Sequence, residues 1–299
     1  MSIARKLIPS GQEQFPFKIQ VTTTLANTIF TIPLVDYGGL TPQLTINWGD
    51  STSSPLIISS TSIDRIHTYT SPGTYTITIS GFMPGFKVNN NLSIRNLITS
   101  LVQWGTVGLR TIDFYGCVNL TSIPSSASLS SVGGYTGLSE VVSFASLMRG
   151  TRITSIPADL FDYSTNATTF TNTFESVITL TTVPSGLFDE VPLATTFASC
   201  FLACSSLTTV PLDLFDLNTN VVNFSSTFRN CRVLTNVLQF TNNTQVTIFN
   251  NIYNMTSTSN ALTGTAPELW NRTPTPSGTD AFNNCVNLSN FASIPLNWK

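Results

Sequence analysis

The spacing of apolar residues changes character along this chain. Over residues 15–81 apolar and polar positions alternate: Phe15, Phe17, Ile19 and Val21 share one parity, and Tyr75, Ile77 and Ile79 do the same near the end of the stretch. A period of two puts successive side chains on opposite faces of an extended strand, so each run buries one face. Similar runs at 29–34 and 43–48, and the short pair Ile57 and Ile58, are separated by Pro, Gly and Asp. Short alternating runs punctuated in this way predict a small antiparallel β-sandwich over 15–81. Residues 1–14, with Pro9 and Gly11, keep no period and predict an arm, either disordered or docked on a partner subunit. Residues 82–108 predict a junction of one or two strands, with Trp104 covering the first layer of the C-terminal region.

From residue 109 the alternation gives way to a long period. Leu180, Val183, Pro184, Phe188 and Asp189 return 27 positions later as Leu207, Val210, Pro211, Phe215 and Asp216. Ile153, Ile156, Pro157, Phe161 and Asp162 are an earlier copy. The fuller frame is Phe-x-x-x-Phe-x-x-Cys-x-x-Leu-x-x-Val-Pro, filled by Phe197, Phe201, Cys204, Leu207 and Val210 and again by Phe224, Phe228, Cys231, Leu234 and Val237. Its first four positions share one helical or turn-like face, and the Leu-to-Pro step turns into an extended segment. Repeats of this length cannot bury an apolar face alone and must stack. The expected fold is therefore mainly β with short helices: a sandwich followed by a repeat solenoid over 109–299. Residues 241–281 break the frame, and insertions in stacked repeats gather on one face. Tyr253, Trp270 and Asn271 in that insertion form the candidate binding surface, provided that they are exposed.

Composition sharpens this picture. Only 9 % of residues are charged while 41 % are hydrophobic, against about 25 % charged in ordinary domains. Polarity comes from Thr, Ser and Asn instead. Neighbouring molecules with such surfaces repel weakly, which suits permanent packing, although repeat proteins can also carry this composition by habit. The net charge of −2 comes without a basic stripe, so nucleic acid is not an expected partner. No apolar stretch is long enough to span a bilayer, and the N-terminus lacks the apolar run of a secretory signal.

Candidate chemistry is sparse. Of five cysteines, Cys117, Cys204, Cys231 and Cys285 each stand three positions before a Leu of the repeat, which marks them as core positions. Cys200 and Cys204 are spaced as a metal pair on a helix would be, but no second ligand type accompanies them. The single histidine, His67, precedes a turn and reads as structural. Asp162, Asp189 and Asp216 recur once per repeat with Asp159 and Asp213 nearby, so they should line one edge. Such a row invites three readings: paired carboxylates for glycosidic cleavage, carboxylates accepting backbone N–H groups at a repeated turn, which fits best because no His or Arg partner accompanies them, or calcium bridging the layers. No catalytic, cofactor or metal residue is assigned, and an enzyme is not expected.

Two family resemblances fit these motifs. Asn47-Trp-Gly-Asp50 and His67-Thr-Tyr-Thr-Ser-Pro-Gly-Thr-Tyr75 resemble the PKD family of immunoglobulin-like domains, in which the Trp fills the core and the Asp caps a turn. Phe114-Tyr-Gly-Cys117-Val-Asn-Leu120-Thr-Ser-Ile-Pro124 and the copies after it resemble BspA-like leucine-rich repeats over 109–299. Together the resemblances imply a PKD/Ig-like sandwich plus a leucine-rich-repeat solenoid, an architecture of phage virion and bacterial surface proteins. The implied function is a non-enzymatic virion structural protein, as capsid decoration, vertex, or tail or fibre component. The alternative is a cell-surface adhesin for a host receptor or carbohydrate. Partners would be other virion or surface proteins, held in part through residues 1–14, within an oligomeric assembly on a virion or, alternatively, a cell surface.

Overall fold

The computed structural model describes residues 15–126 and 137–299; the expected arm over 1–14 lies outside them. Among the described residues eight strands form: β1 (Phe17–Thr23), β2 (Thr28–Thr31), β3 (Gln43–Asn47), β4 (Ile66–Tyr69), β5 (Gly73–Phe82), β6 (Gly85–Lys87), β7 (Ile98–Gln103) and β8 (Thr111–Asp113). The alternation holds in β1, where Phe17, Ile19, Val21 and Thr23 are buried and Lys18, Gln20 and Thr22 face outward. β1 lies between β5 and β7, and β3 pairs with the far side of β5, so the main sheet runs β3-β5-β1-β7 and is antiparallel throughout. β2 and β4 make a separate antiparallel pair, and β6 and β8 a short parallel one.

These sheets overturn the sandwich expected over 15–81. They are three separate, open sheets, and the largest takes its fourth strand, β7, from the stretch expected to be a junction. The physical reason is that β1 uses both edges, one for β5 and one for β7, so the sheet carries on toward the rest of the chain. Leu101 N–H reaches Ser122 O and Thr121 N–H reaches Thr99 O, which extends the β7 edge further.

The leucine-rich-repeat solenoid is corrected as well. After β8 the described residues contain no strand and no α-helix, only three-residue 3-10 turns such as Phe291–Ser293. Successive copies meet through isolated parallel bridges, Thr169 to Thr196, Thr196 to Asn223 and Asn223 to Ile248. Backbone geometry explains why strands do not form. Two positions in each turn are left-handed: Asn172 and Ser176, Ser199 and Ala203, Ser226 and Asn230, with φ between 55° and 61°. An extended run cannot pass through such residues, and Asn is among the side chains that tolerate them best. The turn instead sends alternate N–H groups to the next copy: Phe170, Asn172, Phe174 and Ser176 donate to the carbonyls of Thr196, Ala198, Cys200 and Leu202. With the solenoid and sandwich gone, the labels virion, capsid decoration and tail fibre lose the family architecture that suggested them.

The buried phenylalanines of the stacked region line up in columns. Phe144, Phe170, Phe197, Phe224 and Phe249 form one column of rings with centroids 5.4, 5.1, 5.8 and 6.0 Å apart. Phe174, Phe201, Phe228, Tyr253 and Phe282 form a second at 5.4, 5.7, 5.4 and 5.9 Å. Phe161, Phe188 and Phe215 make a third at 5.6 and 5.7 Å. Buried apolar residues from Phe17 to Trp298 belong to one continuous core.

The neutral polar composition has a structural cause. Buried Asn218 donates through Nδ2 to Phe188 O and Val191 O, and Asn243 donates to Phe215 O and Asn218 O. Thr173 and Thr227 hydroxyls donate to Phe144 O and Phe197 O. Each such bond satisfies a buried carbonyl of the neighbouring copy. A charged side chain recurring at that spacing would face its own like charge in every copy, which favours neutral donors.

Candidate functional site

The residues behind the first resemblance do assemble. Trp48 stacks on the His67 ring at 4.8 Å, His67 meets Tyr69 edge-on at 4.7 Å, and Tyr69 stacks on Tyr75 at 4.1 Å. Tyr69 donates its hydroxyl to Trp48 O at 2.8 Å, and burial pushes that phenol far above its usual value. Asp50 Oδ1 accepts both the N–H and the hydroxyl of Thr52, closing the turn after β3. Its other oxygen accepts from His67 Nε2 at 2.7 Å. Burial pushes the Asp50 carboxyl up, but the bonds from Thr52 and His67 outweigh it and hold the group below its ordinary value. An ionised carboxylate only accepts, so Nε2 carries the ring hydrogen. This pair locks a turn to a strand.

An open hollow lies against this cluster, lined in part by Ser53, Ser54, Pro55, Ile63, Ile66 and His67. It is open to solvent rather than enclosed, unlike a typical ligand cavity.

The candidate surface expected from the sequence does not come together. Tyr253 is fully buried, a member of the second ring column, and its hydroxyl accepts the Leu238 N–H at 2.9 Å. It is a core residue. Trp270 is half-buried against Phe282 and Trp298 at 6.3 and 5.9 Å. Asn271 is exposed and donates to Glu268 Oε2 at 2.7 Å. Trp270 and Asn271 are neighbours, but the aromatic ring serves the end of the core.

All five cysteines are buried. Cys204 and Cys231 donate through Sγ to Phe174 O and Phe201 O, both at 3.1 Å. Burial pushes the Cys231 thiol up to about 12 and raises Cys200 and Cys204 as well. Thiols held protonated in this way are poor nucleophiles and poor metal ligands. Cys200 is not half of a metal pair: it occupies the slot that Thr173 and Thr227 fill one repeat to either side. Aligning those three positions in the sequence would have revealed it.

The acidic edge is present. Burial raises the Asp162 carboxyl above its ordinary value, helped by Asp159, Glu190 and Asp189. Burial likewise raises Asp189, helped by Asp213, Glu190 and Asp216. Among the described residues no group of His, Cys, Asp or Glu is placed to hold a metal ion. A carboxyl with a raised value in the fold ionises less readily there than in the unfolded chain. Its charge therefore opposes folding at neutral pH, and that opposition fades as pH falls through the raised value toward the ordinary 3.8. Asp189→Asn is expected to raise the melting temperature modestly at neutral pH. The gain should shrink in acid or high salt. Equal melting temperatures for the two proteins at neutral pH and low salt would show that the row carries no repulsion.

Among the described residues no helix is long and apolar enough to cross a membrane. No protein-family model matches the chain, and no curated protein matches it. Neither resemblance drawn from the motifs gains support from these comparisons.

Proposed function

We propose that this chain is a non-enzymatic structural protein that contributes a stiff, nearly uncharged surface to an ordered assembly. The observation that carries the reading is the continuity of the stack. Four alternate N–H groups of one copy bond the next, and ring columns with buried Asn and Thr bonds add to the tie. Such a body resists bending and presents its sides. The low charge limits repulsion between packed neighbours. A virus particle is the first setting to test, and a cell surface the second.

The test is high-resolution imaging of particles and envelopes from the native source. Ordered copies at fixed stoichiometry in a particle or surface lattice support the reading. A protein recovered only free in solution overturns it. The adhesin reading loses its expected patch, because Tyr253 is in the core.

A further inference from the structure

We infer that an exposed leucine edge of the stack is a docking surface for the chain's own N-terminal segment, Ile3-Ala-Arg-Lys-Leu-Ile8. Leu193, Leu212 and Leu217 are 48, 70 and 57 % exposed, although they flank the same turns that bury Leu187, Leu214 and Phe215. Leu217 stands where Glu190 stands one 27-residue period earlier, so these side chains share one edge.

Charge selects the occupant. From Ile153 to Phe228 the sequence holds no Lys, Arg or His. Asp213 follows Leu212 and Asp216 precedes Leu217, with Asp189 and Glu190 in the copy before. None of these four carboxylates pairs with a Lys or Arg among the described residues. After burial, Asp213, Glu190 and Asp216 each help raise the Asp189 carboxyl, so the groups are close together. An occupant must bring cations beside aliphatic side chains. Arg5 and Lys6 are the chain's only adjacent cations, and Leu7 and Ile8 follow them directly.

Position selects the same segment. The described chain begins at Phe15, whose N–H donates to Thr106 Oγ1 and whose carbonyl accepts the Thr106 N–H. Two residues before Thr106, Trp104 Nε1 donates to Pro124 O at 3.0 Å. The residues after Pro124, Ser125 and Ser126, bond Asp159 through their hydroxyls. Asp159 lies one copy before Asp189, so residues 1–14 join the fold at the head of this edge. From Phe15 back to Lys6 the chain can reach about 30 Å, at ~3.3 Å per residue. Rings of the three copies concerned are 5.6 and 5.7 Å apart, so that reach covers the edge with length to spare. The tether makes docking intramolecular, and a few weak contacts then suffice.

The inference does not rest on the assembly role proposed above. Zero-length carbodiimide coupling of the full chain, read by peptide mass spectrometry in the monomer fraction, tests it. Lys87 and Asp113, 3.5 Å apart, are the internal standard and should couple with or without added salt. At low salt Lys6 should couple to Asp189, Glu190, Asp213 or Asp216. In ~0.5 M salt that yield should fall roughly fivefold, because exposed charges are screened. Leu212→Ser with Leu217→Ser should lower it severalfold while the Lys87 product stays constant. In an Arg5→Ser, Lys6→Ser protein, the stabilisation from Asp189→Asn should be about twice that in wild type. No Lys6 product on this edge while Lys87 couples, equal coupling of Lys6 to carboxylates elsewhere, or an equal effect of Asp189→Asn in both backgrounds would overturn the inference. Coupling found only in a dimer fraction would overturn it as well, since a second copy would then supply the segment.

Discussion

Phe201→Ala should destabilise the protein by about 3–5 kcal/mol, the range for emptying a buried phenylalanine site. Phe201 is fully buried between Phe174 at 5.4 Å and Phe228 at 5.7 Å, with Phe188 at 6.3 Å on its flank. The rings on both sides belong to backbones fixed by hydrogen bonds between layers, Phe174 N to Cys200 O and Phe201 N to Thr227 O. Neither neighbour can slide in to fill the space, so the upper part of the range applies. At about 2–4 °C per kcal/mol for chains of roughly this size, the melting temperature should fall by roughly 10 °C. Ser205→Ala, at an exposed position a few residues on, is the comparison and should stay within about 0.5 kcal/mol of wild type. A Phe201→Ala melting curve superimposable on the wild type would reject the ring column as the source of stability.

The same column shows where sequence reasoning reaches and where it stops. Phe174, Phe201 and Phe228 share one phase of the period, and they stack; the alternation in β1 likewise names its buried face correctly. Spacing alone carries that information because it reports which side chains share an environment. It does not report backbone handedness. The left-handed residues Asn172, Ser199 and Ser226 occupy one phase as Asn and Ser, which also fit loops and caps, so the turns read as helical or extended. Sheet partners are hidden for a related reason: nothing local in β7 says that it pairs with β1 across most of the N-terminal segment. Tyr253 reads as a surface residue because it follows Phe228 at a shortened spacing, which conceals that it is the next ring of the column. His67 reads as structural, and its bond to Asp50 agrees, but the stacking on Trp48 emerges only in three dimensions.

Trp298→Ala should produce the second large effect, confined to the end of the stack. Every layer offers N–H groups toward the following one, so the last layer needs an acceptor. The chain supplies it by folding back: Asp280 N–H donates to Asn297 O and Phe282 N–H to Trp298 O at 2.7 Å. The indole lies over Gly278, where an added Cβ would stand 2.2 Å from the ring. Gly278 holds the layer position that Phe249 fills one step earlier, since Phe249 N–H donates to Ser277 O and the first ring column ends there. Trp298 thus covers the column in place of another phenylalanine, and only glycine leaves room beneath it. Removing the indole should cost about 3–5 kcal/mol locally, read as early proteolysis within residues 262–299 while the central layers keep their amide protection. Gly278→Ala should also destabilise the wild-type protein, because the methyl displaces the ring. In the Trp298→Ala background the same alanine should be nearly neutral, for nothing remains to clash with it. Additive losses in the double variant would show that Trp298 and Gly278 act separately, and the tryptophan would then have to stabilise the end through Trp270 alone.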